Sequence, residues 1–210
     1  MDILLQHVCP SFLTGTGSQV WNRDVHLPEK AFVNVTAPSG VGKTSFIAVL
    51  YGLLTDYGGT LQFDGKETAS IGRRKWAHLR QHKLSLMFQD LRLFDQLSCL
   101  DNVLLKACQV GQANPQWIET LFERLGIHTR LHALAGSCSQ GEKQRVAFIR
   151  ALVQPFAWIL LDEPFSHLDE DCVGAMCDLL LETCDRNHAG MIVTSLAPDT
   201  RLPYTGAFAL

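Results

Sequence analysis

A chain of 210 residues with 47% hydrophobic content can bury a full core as one compact unit. Its 18 basic and 21 acidic residues leave a formal net charge of -3, which excludes the strong basic footprint of a nucleic-acid binder. The longest apolar runs, such as residues 158–161, fall far short of the ~20 residues that span a bilayer, so the chain itself is not expected to cross a membrane.

The first five residues carry neither a basic region nor a cleavable apolar stretch, and a cytoplasmic location is expected. Seven cysteines, an odd number with no C-x-x-C pair, point to reduced, packed thiols rather than a disulfide framework. Cys172, Cys177 and Cys184 share an apparently helical stretch with Val173, Met176, Leu179 and Leu180 and read as packing residues.

Short β-like runs at 3–8 and 31–35 flank a Gly/Ser/Thr-rich segment at 14–18 that reads as a hairpin tip. A second pair of short strands is suggested around 59–65, and an apolar strand at 84–88. Helical periodicity takes over from 101 to 135, with Val103, Leu104 and Leu105, then Trp117, Ile118, Leu121, Phe122 and Leu125. Strands return at 158–161 and 191–194, and residues 200–210 are left for a terminal strand or tail. This alternation is an α/β architecture carrying a helical insertion.

Residues 37–44 read Ala-Pro-Ser-Gly-Val-Gly-Lys-Thr between a buried strand and an apolar helix that runs through Phe46, Ile47, Val49 and Leu50. Backbone N–H groups of such a loop wrap a β-phosphate with help from the helix dipole. The lysine reaches the β- and γ-phosphates and the hydroxyl reaches Mg²⁺. Ser39, Gly40, Val41, Gly42, Lys43, Thr44 and Ser45 are therefore the expected nucleotide cradle. The pattern wants glycine at Ala37; if φ were positive there, alanine would be strained by about 1 kcal/mol.

The strand at 158–161 ends in Asp162 and Glu163, and ligands of open α/β sheets bind at such carboxyl ends. Asp162 is expected to hold Mg²⁺ through its water shell, as a hard, oxygen-seeking cation requires. Glu163 is expected to polarise the attacking water as general base.

Between these segments, residues 137–147 (Ser-Cys-Ser-Gln-Gly-Glu-Lys-Gln-Arg-Val-Ala) closely resemble the signature motif of ATP-binding cassette (ABC) ATPases. Phe88-Gln89-Asp90 resembles the Q-loop, Asp162-Glu163-Pro164 the end of the Walker B strand, and Ser166-His167-Leu168-Asp169 the D-loop. The resemblance implies a P-loop NTPase (RecA-like) core with an N-terminal antiparallel β subdomain and an inserted helical subdomain. One domain over 1–210 is expected, with 1–88 and 142–210 forming the β and RecA-like core. Residues 89–141 would hold the Q-loop, helical subdomain and signature.

The resemblance further implies an ATPase that forms a head-to-tail homodimer or pseudo-dimer, ATP and Mg²⁺ on Lys43 of one copy being capped by Ser139, Gly141 and Glu142 of the other. Cys138 and Gln140 stand where the family has Leu and the first Gly, so a Gln side chain crowds a place built for close backbone approach. Phe12 falls where the family stacks an aromatic on adenine; core packing is the alternative. Gln89, with Lys43 and Glu163, joins the catalytic set and with Thr44 and Asp162 the metal set. It also opens a groove for the coupling helix of an integral membrane subunit on the cytoplasmic face of the inner membrane. Leu91, Leu93, Phe94 and Leu97 are apolar enough for that interface, and packing under the insertion is the competing account.

Phe88 to Leu93 and Asp101-Asn102-Val103 resemble the lipoprotein-release, macrolide-efflux and cell-division branch, whereas residues 161–166 look like small-solute importers. Family members place a switch histidine where Ser195 stands. His188 would sit at the far end of the same strand, and His167 is a candidate stand-in. The expected function is that of an ATP-hydrolysing subunit powering a separate membrane subunit. The alternative is a nucleotide-gated interaction module that hydrolyses poorly because of Ser195; a soluble ABC ATPase acting on DNA or ribosomes is the third reading. The pairs His78/His82 and His128/His132 have i, i+4 spacing but no third ligand for zinc.

Overall fold

The computed structural model describes residues 1–13, 17–38, 40–111, 114–166 and 168–210. Ser39, His167 and the tip at 14–16 thus lie outside the described residues.

Two sheets organise the chain. Strands β1 (Ile3–Pro10), β2 (Asp24–Leu27), β4 (Tyr57–Phe63) and β5 (Lys66–Glu67) make an antiparallel sheet in the order β2-β1-β4-β5. Strands β6 (Leu84–Met87), β7 (Trp158–Asp162), β8 (Gly190–Ser195), β3 (Phe32–Thr36) and β9 (Gly206–Ala209) make a parallel sheet in the order β6-β7-β8-β3-β9. The parallel strands are covered on both faces, which explains why β7 is an unbroken apolar run rather than an alternating one. Trp158 and Leu160 pack with α1 (Lys43–Leu50) and the antiparallel sheet, while Ile159 and Leu161 face the opposite core.

That second core joins α3 (Cys99–Gln109), α4 (Pro115–Arg124), α5 (Gln140–Leu152) and α6 (Glu170–Asn187). Its helix starts are legible in the sequence: Ser98, Asn114, Ser139 and Asp169 each accept a hydrogen bond from a first-turn N–H. The region of helical periodicity resolves into α3, α4 and two short 3₁₀ turns, His128–Arg130 and Ala135–Ser137.

Several details depart from the sequence reading. Short β2, with only two inward residues, and α2 (Arg73–His82), which has no fully buried side chain, give little apolar signal; α2 is anchored through Trp76, edge-on to Phe63 at 5.9 Å. His78 and His82 do stack on α2 with ring centroids 4.7 Å apart, but no cluster of three metal-binding side chains exists among the described residues. His128 and His132 do not share a helix face, because the 3₁₀ turn ends at Arg130. His188 does not begin β8: it closes α6 in a left-handed conformation, two residues before the strand. Six cysteines are buried and Cys108 is exposed, all as free thiols. Burial pushes Cys177 and Cys184 up to about 12, as inert packing residues require.

Candidate functional site

The carboxyl ends of β3, β7 and β8 converge on one corner. After β3 the chain turns through the glycine loop into α1, whose N-cap Gly42 has φ of 113°. A Cβ there would meet Leu13 at 3.0 Å and the Trp21 indole at 3.3 Å, so the position requires glycine twice over. No side chain caps α1, leaving its first-turn N–H groups for an anion. The anticipated strain at Ala37 is absent, since φ is not positive there. Ala37 instead lies buried and its carbonyl accepts from Lys43 Nζ at 2.6 Å.

Lys43 is buried and triply held: Nζ also donates to the Pro38 carbonyl at 3.2 Å and lies 3.0 Å from Glu163 Oε1. The other Glu163 oxygen accepts from Gln89 Nε2 at 3.3 Å. Thr44 Oγ1 lies 2.7 Å from Asp162 Oδ2 and 3.2 Å from Gln89 Oε1. Hydroxyl, carboxylate and amide oxygens thus converge, and this all-oxygen donor set suits Mg²⁺. The three side chains expected to hold the metal are brought together, as are the three expected to act in catalysis.

A cleft of about 270 Å³ opens beside this corner, lined by Phe12, Gly40, Gly42, Lys43, Ser45 and Glu163 among others. The Phe12 ring is 63% exposed, so the packing alternative for it fails: it stands at the cleft rather than in the core. Val41 is exposed on the loop without lining the cleft.

Ser139, Gly141 and Glu142 do not line this cleft. They form the start of α5, where Ser139 Oγ accepts from Glu142 N at 3.3 Å and Glu142 Oε2 accepts from Ser139 N at 2.7 Å, a reciprocal capping box. The other Glu142 oxygen accepts from Arg130 Nε at 2.7 Å. Within its own chain the Glu142 carboxylate is held by these bonds, and the Ser139 N–H and Arg130 together keep it below its ordinary range. Gln140 is exposed at the first helical position of α5.

Three side chains with structural command of the corner had no role in the sequence reading. Thr194, buried at the end of β8, donates from Oγ1 to Asp162 Oδ1 at 2.6 Å and accepts from Glu163 N at 3.2 Å. Gln144, buried on α5, donates to the carbonyls of Pro164 at 2.7 Å and Glu163 at 3.3 Å. It ties the signature helix to the turn carrying Glu163, whose backbone is left-handed at φ 51°, a conformation that costs a non-glycine residue about 1–2 kcal/mol. Asn34, in the middle of β3, donates to Ser195 Oγ at 3.0 Å. For Asn34 the available signal was a lone polar residue inside an apolar run.

Of the four apolar residues after Gln89, Leu91 belongs to the core and Leu93 packs against it, while Phe94 is 57% exposed. Phe94 is therefore the one of the four open to solvent, and the packing account holds for Leu91. No described helix is long and apolar enough to cross a membrane.

The sequence pattern of the ABC transporter family matches residues 21–166. The chain is 34% identical over 175 residues to the lipoprotein-releasing system ATP-binding protein LolD of Porphyromonas gingivalis, covering 81% of this chain and 80% of that one. It is 30% identical over 195 residues to the macrolide export ATP-binding/permease protein MacB of Campylobacter jejuni, 91% of this chain but 30% of that one. It spans about half the length of the mycobacterial ABC transporter ATP-binding proteins it matches. The fold superposes on the dimeric bacterial ABC transporter cassette MJ0796 with a TM-score of 0.80 at 22% identity, over 93% of this chain and 88% of that one. By the match over residues 21–166 and the likeness to LolD along four fifths of both chains, the chain belongs to the ABC transporter family.

Proposed function

We propose that the chain binds MgATP at the Lys43 corner, hydrolyses it, and drives a separate integral membrane subunit from the cytoplasmic face of the membrane. The observation that carries this reading is the single hydrogen-bonded network joining Lys43, Glu163, Gln89, Thr44, Asp162 and Thr194. In it Lys43 and the N–H groups of α1 bind the phosphates, and Phe12 offers a face for the base. Thr44, Asp162 and Gln89 hold the metal, which when bound neutralises phosphate charge. A phosphate entering the cleft competes for the Lys43 ammonium, and Glu163 is then released to take a proton from water oriented by Gln89. The water oxygen bonds to the γ-phosphorus as the bond to the β–γ bridging oxygen breaks, giving ADP and phosphate.

Ser139 and Gly141 do not line their own chain's cleft, which supports a head-to-tail dimer in which each copy caps the other's ATP. The division into a core over 1–88 and 142–210 and a Q-loop, helical and signature segment over 89–141 belongs to this reading. The likeness to LolD and MacB supports a transport or mechanotransmission complex.

A second reading, slow hydrolysis by a nucleotide-gated module, is favoured by one contact. The Ser195 oxygen is held by Asn34 in the sheet, and a serine side chain is shorter than the imidazole the family places there. Loss of one transition-state contact typically costs about 10²- to 10³-fold in rate. Steady-state phosphate release by the purified protein, alone and with its membrane subunit, tests both readings. Release that rises with Ser195→His supports the slow motor. Turnover of several per second that ignores this substitution removes the slow reading, and the absence of both release and MgATP binding removes the main one.

A further inference from the structure

Two of the seven cysteines meet beside the signature helix. Cys99 opens α3 and Cys138 stands directly before Ser139, the N-cap of α5; their sulfurs lie 3.5 Å apart. The backbone around them is fixed. Residues 95–100 run antiparallel to 131–136, with Ala135 N donating to the Leu97 carbonyl and Cys99 N to the Ala133 carbonyl, both at 2.9 Å. The approach is close: a Cβ at Gly136 would stand 3.1 Å from Asp95. The two sulfurs are therefore held together by the segments that carry them.

The thiols differ in access. Cys99 is fully buried, whereas Cys138 is 8% exposed and lies between the exposed Ser137 and Ser139. The Cys138 S–H donates to the Leu134 carbonyl at 3.6 Å, which leaves its sulfur to accept from the Cys99 S–H. Burial, and then the neighbouring Cys138 thiol, push Cys99 above the ordinary thiol value. Cys99 thus stays protonated while Cys138 is the sulfur an oxidant reaches first. Packing alone is served by the leucine that the family carries at 138.

We propose that Cys99 and Cys138 are a redox modification site, which a hydroperoxide converts to a disulfide that clamps the start of α5 to α3 and withholds Ser139 from the partner copy's nucleotide. The Cys138 sulfur attacks the outer peroxide oxygen; an S–O bond forms, the O–O bond breaks, and the alcohol or water leaves with the thiol proton. The Cys99 sulfur then attacks the Cys138 sulfur; the S–S bond forms, the S–O bond breaks, and the hydroxyl leaves as water with the Cys99 proton. Two thiols are oxidised and one peroxide is reduced. Closing the bond draws the sulfurs from 3.5 Å to about 2.05 Å. Cys99 is fixed in the first turn of α3, so the movement falls on Cys138 and, through its backbone, on the Ser139 cap. Such transient bonds are the form that disulfides take in reducing compartments. The consequence for capping rests on the head-to-tail dimer reading; the disulfide itself rests on the sulfur geometry.

The test uses the full chain carrying Glu163→Gln, with Cys108→Ser to remove the exposed thiol, treated with hydrogen peroxide and then alkylated. Peptide mapping by mass spectrometry should recover Cys99 joined to Cys138 with the loss of two hydrogen atoms, reversed by dithiothreitol. The Ser139 amide should shift on oxidation in an NMR spectrum. MgATP should still bind, while the MgATP-dependent dimer seen by sedimentation is lost and returns on reduction. Cys138→Leu and Cys99→Ala, either sufficient if the other fails to fold, should keep the dimer in peroxide. Two alkylated thiols after peroxide, or Cys138 carried on to sulfinic acid with Cys99 still free, overturns the disulfide. A joined peptide with the Ser139 amide and the dimer unmoved overturns the clamp. If the reduced protein does not dimerise either, the dimer reading falls and takes the capping consequence with it, while the joined peptide and the Ser139 amide decide the disulfide and its clamp.

Discussion

The Lys43 corner and the start of α5 are built in different ways. At the Lys43 corner the polar groups satisfy one another across separate elements: the ammonium on two carbonyls and a carboxylate, the threonine hydroxyls on Asp162. At the start of α5 they are satisfied nearby in sequence, by a capping box and by Arg130. The first arrangement makes a rigid cleft that needs only a ligand. The second makes a preformed helix end. On the proposed dimer reading, one chain then carries both halves of a composite site, one for binding and one for presentation.

The contrast breaks most severely at Glu163. Glu163→Gln should cut phosphate release by about 10²- to 10⁴-fold, the usual worth of a general base, while MgATP still binds; a phosphate-release assay beside a calorimetric titration separates the two. Lys43→Ala should weaken MgATP binding by at least about tenfold, or ~1.4 kcal/mol, and unchanged affinity in the same titration would remove the phosphate cradle. Thr194→Val keeps the shape of β8 but strips the hydroxyl from Asp162 and from the Glu163 N–H. Leaving such buried groups unpaired costs about 1–3 kcal/mol, to be read as a lower midpoint in urea with an unchanged m-value. Ser139→Ala, which removes only a local cap, should cost about 1 kcal/mol by the same measurement.

The smallest effect sharpens the other half of the comparison. Glu142 is held below its ordinary value by the Ser139 N–H and then Arg130. A depressed carboxylate contributes stability that is present above its unfolded value and lost as pH falls through its folded one. The α5 cap should therefore persist across neutral pH and loosen only below the ordinary carboxylate range. An NMR titration of the Ser139 amide that moved near neutral pH would contradict the capping box.

How much of this was legible beforehand follows from what each signal needs. The glycine loop, the Asp162-Glu163 strand end and the signature helix are short contiguous strings whose chemistry is local, and each was readable and lands where expected. The Thr194, Gln144 and Asn34 contacts are made between separate segments of the chain, so the sequence gave the positions without their partners. The capping role of Glu142 was not drawn from the sequence, although a glutamate three residues after Ser139 is the spacing of a capping box. The strain expected at Ala37 depended on a backbone angle, which composition does not carry. Leu91, Leu93 and Phe94 looked alike as sequence and divide between core and surface only once α3 and α5 are packed.

The claim that the two halves complete one another across copies has a direct measurement. Sedimentation equilibrium of Glu163→Gln with saturating MgATP should show a shift from monomer to dimer that is absent without nucleotide and weakened by Ser139→Ala. A monomer mass at every protein concentration, with ATP bound at one per chain, would contradict the composite site.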